Sequence, residues 1–388
     1  MTASRGPIVV FGILFWYPLA GVTYQFLHYL VALRRLGWDP YYVEDSSRWV
    51  YDPDIDNTTP DARANIERVA PVLAAHGFGD RWAFRSYHEG GAVYGIGEMR
   101  LRALYRDAAA LLNVTGSQEL RDEHLACSRR IYVESDPVKS QILVAEGDAD
   151  MIGRLAQHDT LFTFGENLGQ PDCGLPVERF TWLPTRQPVA LDLWRAADGH
   201  GGGAYSTIAT WRNKNDVVYR GETYVWSKER EFEKMIELPR RRRVSFELAT
   251  RVDAVTHARF EAHGWRLADA FELSRDVDRY RAFIEGSRAE FTVAKEQYVR
   301  LRSGWFSDRS TCYLAAGRPV ITQDTGFGNV LPTGKGLFAF QNIDDVLAAV
   351  DAIESDYAGH SRAAREIAAE YFDADRVVGS LLARAGLA

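Results

Sequence analysis

Apolar and polar positions along the first half of the chain alternate in blocks, strand-like runs followed by helix-like stripes. Residues 8–15 form a short continuous apolar run, suited to a strand covered on both faces. A loop follows, Trp16-Tyr17-Pro18-Leu19-Ala20-Gly21-Val22. Thr23 stands where a helix cap is expected, ahead of a stripe of Phe26, Leu27, Leu30, Val31 and Leu33. Gly37 ends that helix, and 38–44 reads as the next strand. Such strand–helix–strand openings build parallel sheets. Further strands are predicted over 83–87, 111–115, 130–134 and 160–164. They run into His88-Glu89-Gly90-Gly91, Gly116-Ser117, Ser135-Asp136-Pro137 and Gly165-Glu166-Asn167. Parallel sheets bind ligands at their carboxyl edge, so a site is expected in these loops.

Pro184 and Pro188 bracket an extended connector over 183–189, and 199–203 is a flexible glycine-rich run. A second series then begins. Strands are predicted over 206–211, 244–248, 266–270, 289–294 and 319–322. Helices are predicted over 224–238, over 310–316 up to Gly317, after the cap Asn342, over 361–371 and over 375–383. The reading is an α/β protein of two domains with a ligand cleft between them.

Composition narrows the function. A chain of 388 residues suits two domains. The net charge of -7 lacks the basic footprint of nucleic-acid binding, and Arg240 to Arg243 read as a solvated strand entrance. Three cysteines, an odd number and widely spaced, imply no disulfide framework and a reducing, cytoplasmic compartment. No apolar run reaches the ~18 residues of a membrane span. Gly95-Ile96-Gly97 meets Arg100 where a dinucleotide fingerprint needs a small residue, and Gly334-Lys335-Gly336 lacks the hydroxyl residue of a P-loop. The nine histidines show no metal-ligand spacing, so no metal site is expected.

The informative segment runs from Gly304 through Trp305-Phe306-Ser307-Asp308-Arg309-Ser310-Thr311-Cys312 to Ala315-Ala316-Gly317-Arg318-Pro319-Val320, then Asp324-Thr325-Gly326. A polar loop enters a short small-residue helix, a glycine ends it, and a strand leads into an acidic, glycine-containing turn. Free N–H groups at the helix start, with the Ser310 and Thr311 hydroxyls, would bind an anion, and Arg309 would add a bidentate phosphate contact.

This segment resembles the donor-binding region of GT-B glycosyltransferases of the family 1 and family 4 types, and Arg309 resembles an arginine of CgeB-like members. The resemblance implies two Rossmann-like domains facing across a cleft. Residues 1–185 would bind the acceptor and 186–372 the donor, with 373–388 a helix that packs back on the first domain. It implies that Ser307, Asp308, Arg309, Ser310 and Thr311 hold the donor diphosphate. It also places Gly326 and Phe327 toward the donor sugar. In many retaining members a glutamate on this helix grips the donor ribose; that place holds Cys312, and the first glutamate of the pair would fall at Trp305. Asp308 would compensate, or cap the helix. Arg212, Lys214 and Lys295, each beyond a predicted strand, are cations that would neutralise a diphosphate leaving group or lie on the surface. Asp324 would accept sugar hydroxyls or hold its turn. On the acceptor side His88, Asp136 and Glu166 are candidate general bases, Asp136 before Pro137 being also a turn starter. Trp16, Tyr17 and Gly21 would line the acceptor site or pack between the domains. The expected activity is metal-independent, hexosyltransferase-like transfer from a nucleoside-diphosphate sugar to a hydroxyl of a small molecule or glycan, with no other cofactor. The alternatives are a nucleotide-sugar epimerase or hydrolase, and a binding protein without chemistry.

Overall fold

The computed structural model describes residues 4–196, 202–214 and 216–387. Most of the glycine-rich run, 199–201, lies outside them. The first unit carries strands β1 (Pro7–Phe11), β2 (Asp39–Glu44), a small hairpin of β3 (Val50–Asp52) and β4 (Asn57–Thr59), β5 (Trp82–Ser86), β6 (Ala92–Gly95), β7 (Ala110–Val114), β8 (Arg130–Glu134), β9 (Thr160–Thr163) and β10 (Trp182–Pro184). Eight of these form one sheet in the order β10-β9-β8-β7-β1-β2-β5-β6, parallel except for β6. The second unit carries β11 (Tyr205–Ile208), a hairpin of β12 (Val217–Tyr219) and β13 (Glu222–Tyr224), β14 (Phe246–Ala249), β15 (Arg266–Ala268), β16 (Ala289–Thr292), β17 (Val320–Gln323) and β18 (Leu337–Phe340). Six of these form an all-parallel sheet, β15-β14-β11-β16-β17-β18. The continuous apolar runs are the strands, because both faces of each central strand lie under helices. Ile8, Val9, Val10 and Phe11 are fully buried, alternating between two core clusters on opposite faces.

Several boundaries differ from expectation for local reasons. The first strand ends at Phe11, and residues 12–15 turn into the following loop. The first helix, Ala20–Arg35, begins three residues ahead of Thr23, whose hydroxyl bonds back to Leu19 O. Gly37 follows its end at φ +86, as a stop glycine should. The stretch 224–238 is not one helix. It holds the end of the second hairpin and the helix Glu229–Lys234; Pro239 opens the further short helix Leu238–Arg241, which takes Arg240 and Arg241. The helix Tyr357–Ile367, capped by Asp356, begins four residues ahead of Ser361, and a π turn, Ala368–Phe372, closes it.

The chain passes between the units twice. Residues 184–190 leave the first sheet, and Val189 pairs with Asp373 where the chain returns. Asp373 caps the last helix, Ala374–Arg384, whose Val378, Leu381 and Leu382 share one buried cluster with Phe26 and Leu30 of the first helix.

Candidate active site

The carboxyl edges of the two sheets face each other. Asp136, in the turn after β8, reaches across to the second unit. Its Oδ2 accepts from Lys295 Nζ at 2.7 Å and its Oδ1 from Trp226 Nε1 at 3.0 Å. Lys295, in the loop after β16, also lies 3.8 Å over the Trp226 ring. Trp305 stacks on Tyr298 and donates its indole N–H to Ser135 O at 3.0 Å. The turn behind Asp136 is strained: Val138, β-branched and fully buried, sits at φ +106. Such a conformation persists only where surrounding packing over-determines it, and it clusters at functional sites.

Around this bridge the second unit collects cations. Lys228, just past the second hairpin, is 5% exposed. Among the described residues no hydrogen bond or ion pair holds its ammonium. Burial first, then the positive charges of Arg309 and Lys295, push its pKa well down, against the pull of Glu290. Arg309 itself is committed. Its Nε bonds Glu290 Oε1 at 2.7 Å, one NH2 group bonds Thr292 Oγ1 at 2.9 Å, and the other bonds Ile208 O. Glu290 is wholly buried, with its Oε2 unpartnered. Arg309 thus contributes positive charge beneath the site, and its guanidinium is not the free phosphate fork expected from sequence.

The helix Asp308–Ala315 starts at this place. Ser307 occupies its cap position, buried, and makes no side-chain capping bond, so the first-turn N–H groups keep their anion-binding capacity. Asp308 does not cap the helix either. Burial raises its pKa to about 7, with the Asp136 charge adding to the rise. Thr311 turns its hydroxyl back to Asp308 O at 2.6 Å, away from an anion role. The Ser310 hydroxyl is buried without a partner. Cys312, at the position of the family's ribose-gripping glutamate, is buried with its thiol on Asp308 O.

Other candidates are placed elsewhere. Arg212 is turned to solvent, 74% exposed, on Glu229, and Lys214 is exposed. Asp324 holds its turn, pairing with Arg302 at 2.8 Å and accepting from Gly326 N. Gly326, at φ +92, presses on Asn167 of the first unit: a Cβ there would lie 2.7 Å from Asn167 Nδ2. Phe327 packs edge-on to Phe306 in the core and presents no face to a sugar. Glu166 pairs with Arg186 at 2.6 Å and ties down the connector. His88 bonds Ser47 O and stands edge-on to Trp49. Four strand spacings separate β5 from β8, roughly 19 Å at ~4.8 Å each, so His88 and Asp136 do not share one centre. Trp16 lies under Arg48, and Tyr17 stacks on Tyr51 of the first hairpin at 4.6 Å. Gly21 lies against the Tyr280 hydroxyl of the second unit, 3.3 Å from where its Cβ would be. The first hairpin closes the opposite side of the cleft: Asp56 pairs with Arg251 at 2.8 Å, and Asp54 with Arg275.

Sequence reasoning missed Lys228, Trp226 and Tyr280. Its one available signal was the tryptophan-lysine spacing after a hairpin, hidden when 224–238 is read as a helix. One group of possible metal ligands occurs among the described residues, Asp45, Glu123 and His124. Arg85 and Arg121 already fill it with ion pairs to Asp45, at 3.1 and 2.7 Å, so it is an internal charge network.

No protein-family model matches the chain, and no curated protein matches it in sequence. Solved structures do match in fold. AviGT4, a glycosyltransferase of avilamycin A biosynthesis, superposes with a TM-score of 0.54 at 9% identity over 98% of this chain and 97% of its own. HepE of Anabaena, solved with UDP, gives 0.52 at 8% identity over 98% of this chain and 100% of its own. A Listeria monocytogenes protein named for UDP-N-acetylglucosamine 2-epimerase gives 0.50 at 11% identity over 98% of this chain and 95% of its own. The chain has the GT-B fold, two Rossmann-like units facing across a cleft, as its sequence led us to expect. Among the described residues no helix is long and apolar enough to cross a membrane.

Proposed function

We propose that this protein is a glycosyltransferase that binds a nucleoside-diphosphate sugar in the second unit and moves the sugar to an acceptor held by the first. The observation that carries the reading is Lys228, a buried amine that makes no hydrogen bond or ion pair among the described residues, set beside Lys295, Arg309 and the start of the Asp308 helix. A buried amine among other cations is costly to charge, and an anion beside it would restore its proton and pair with it. Diphosphate chemistry fits the donor set. Two lysines and helix N–H groups would hold the phosphates, and Arg309 would add charge from below. As the bond between sugar and phosphate breaks, the electron pair leaves with the diphosphate, and these cations would stabilise it in the way a metal ion does elsewhere. The GT-B neighbours support the reading, one having been solved with UDP.

Titration calorimetry with UDP, TDP, GDP and ADP tests it. One of them should bind the wild type and bind Lys228→Met at least tenfold more weakly. Indifference to all four would sink the donor assignment. The epimerase-named neighbour keeps a second reading open, in which the donor turns over with no acceptor. Incubating nucleotide sugars with the protein alone separates the two, because a transferase converts them efficiently only after an acceptor is added.

A further inference from the structure

The Asp136 bridge has a property that packing alone does not explain. Its carboxylate is 37% exposed, yet both oxygens bind donors of the other unit, Lys295 and Trp226. Among the described residues Lys295 Nζ makes one other hydrogen bond, to the Tyr298 hydroxyl at 3.2 Å, and it lies over the Trp226 ring. Among the described residues the cluster of Lys228, Lys295 and Arg309 faces Asp136, Glu290 and Asp308; Glu290 belongs to Arg309 at 2.7 Å, and burial raises the Asp308 pKa to about 7. Of these three, Asp136 is the one that comes from the first unit. The turn that lends it is strained at Val138, directly after Pro137.

Resting on the donor reading above, we propose that Asp136 acts as an internal counter-ion, holding the Lys295 ammonium in the empty protein and giving it up to a donor phosphate. Two anions cannot share Lys295 without repulsion. When phosphate oxygens arrive between Lys228 and Lys295, the better-charged ligand takes the ammonium. The Asp136 carboxylate then leaves its two bonds to the second unit and becomes free on the acceptor side of the cleft. No covalent bond changes in this exchange; Lys295 passes its hydrogen bond from a carboxylate oxygen to a phosphate oxygen. The exchange ties the two substrates together: a first-unit carboxylate that an acceptor hydroxyl would meet is available only when the donor is in place.

The test compares wild type with Asp136→Asn, using inorganic pyrophosphate and UDP as probes. The amide keeps the size of the side chain and removes its negative charge. Asp136→Asn should bind both probes about tenfold more tightly than wild type, because the competing anion is gone. Wild type, but not Trp226→Phe, should show a fluorescence change on pyrophosphate binding as the Trp226 indole loses its carboxylate partner. Asp136→Ala, expected to tighten binding in the same way, guards against a folding defect in one variant. If the probes bind wild type and bind both Asp136 variants equally or more weakly, the exchange is wrong while the donor site stands. If no probe binds any form, the donor reading falls and the exchange with it.

Discussion

Replacing Lys228 by methionine should move two properties in opposite directions. Methionine keeps the length and most of the apolar volume, so packing around the side chain changes little. Without a nucleotide the substitution removes a mostly buried amine that makes no hydrogen bond or ion pair among the described residues. Removing such an unsatisfied group recovers a desolvation penalty of about 1–3 kcal/mol. With an unfolding entropy near 2.1 cal/mol/K per residue, that raises Tm by roughly 1–4 °C for a chain of this size. In the loaded protein the same substitution deletes a hydrogen bond to a charged group, worth about 1.5–3 kcal/mol, so UDP should bind on the order of 10- to 150-fold more weakly. Thermal unfolding with and without UDP measures both. The pH dependence has a definite sign. Burial and its cationic neighbours lower the Lys228 pKa in the folded chain, so the unfolded chain holds more protons. Stability of the empty protein therefore rises with pH from that lowered value up to the ordinary lysine range. A bound diphosphate restores the proton, so UDP affinity falls as pH rises through the same window. A Lys228→Met protein that is less stable than wild type when empty and binds UDP normally would refute the argument.

Arg309→Ala leaves buried Glu290 unpaired and should cost about 3–5 kcal/mol of stability, which denaturant titration would register; adding Glu290→Gln should recover much of the loss. Gly304 sits at φ +79 with its Cβ position 2.3 Å from Asn167 N of the other unit, so Gly304→Ala should force the units apart. A lower Tm and a larger radius of gyration in X-ray scattering would show it. His28 is buried and His158 half-buried, and both are held neutral, with pKa values lowered to about 3 and about 4 by loss of hydration. The unfolded chain protonates them first, so stability should fall as pH drops from about 6.5 toward those values, and His158→Gln should flatten the slope measured by urea titration.

What could be read in advance was set by local pattern. The Asp308 helix follows from its small-residue stripe and Gly317, and the Asp136 turn from a strand running into Ser-Asp-Pro. What could not be read depends on strand order and distant pairing. Arg309 looks like a free phosphate ligand in sequence because its partner, Glu290, lies on a strand 19 residues earlier. His88 and Asp136 look equivalent at two strand ends until the order β8-β7-β1-β2-β5 sets them apart. Lys228 is hidden when 224–238 is read as helix, although Gly221, at φ +80 in the turn of the hairpin over 217–224, is a turn signal just ahead of it. Arg212 was preferred for standing directly after a strand, although nothing local says whether such a side chain turns in or out.

The last helix, Ala374–Arg384, lends Val378, Leu381 and Leu382 to the hydrophobic interior of the first unit. That interior is thus assembled from stretches of chain made at very different times. During synthesis, residues 7–184 emerge with an apolar face still open, and it can close only after some 190 further residues have left the ribosome. Domains usually finish in the order they are made. Here the earlier half waits for the later one. Expressed alone, residues 1–190 should expose that face and aggregate, and a separate peptide spanning 373–387 should rescue them.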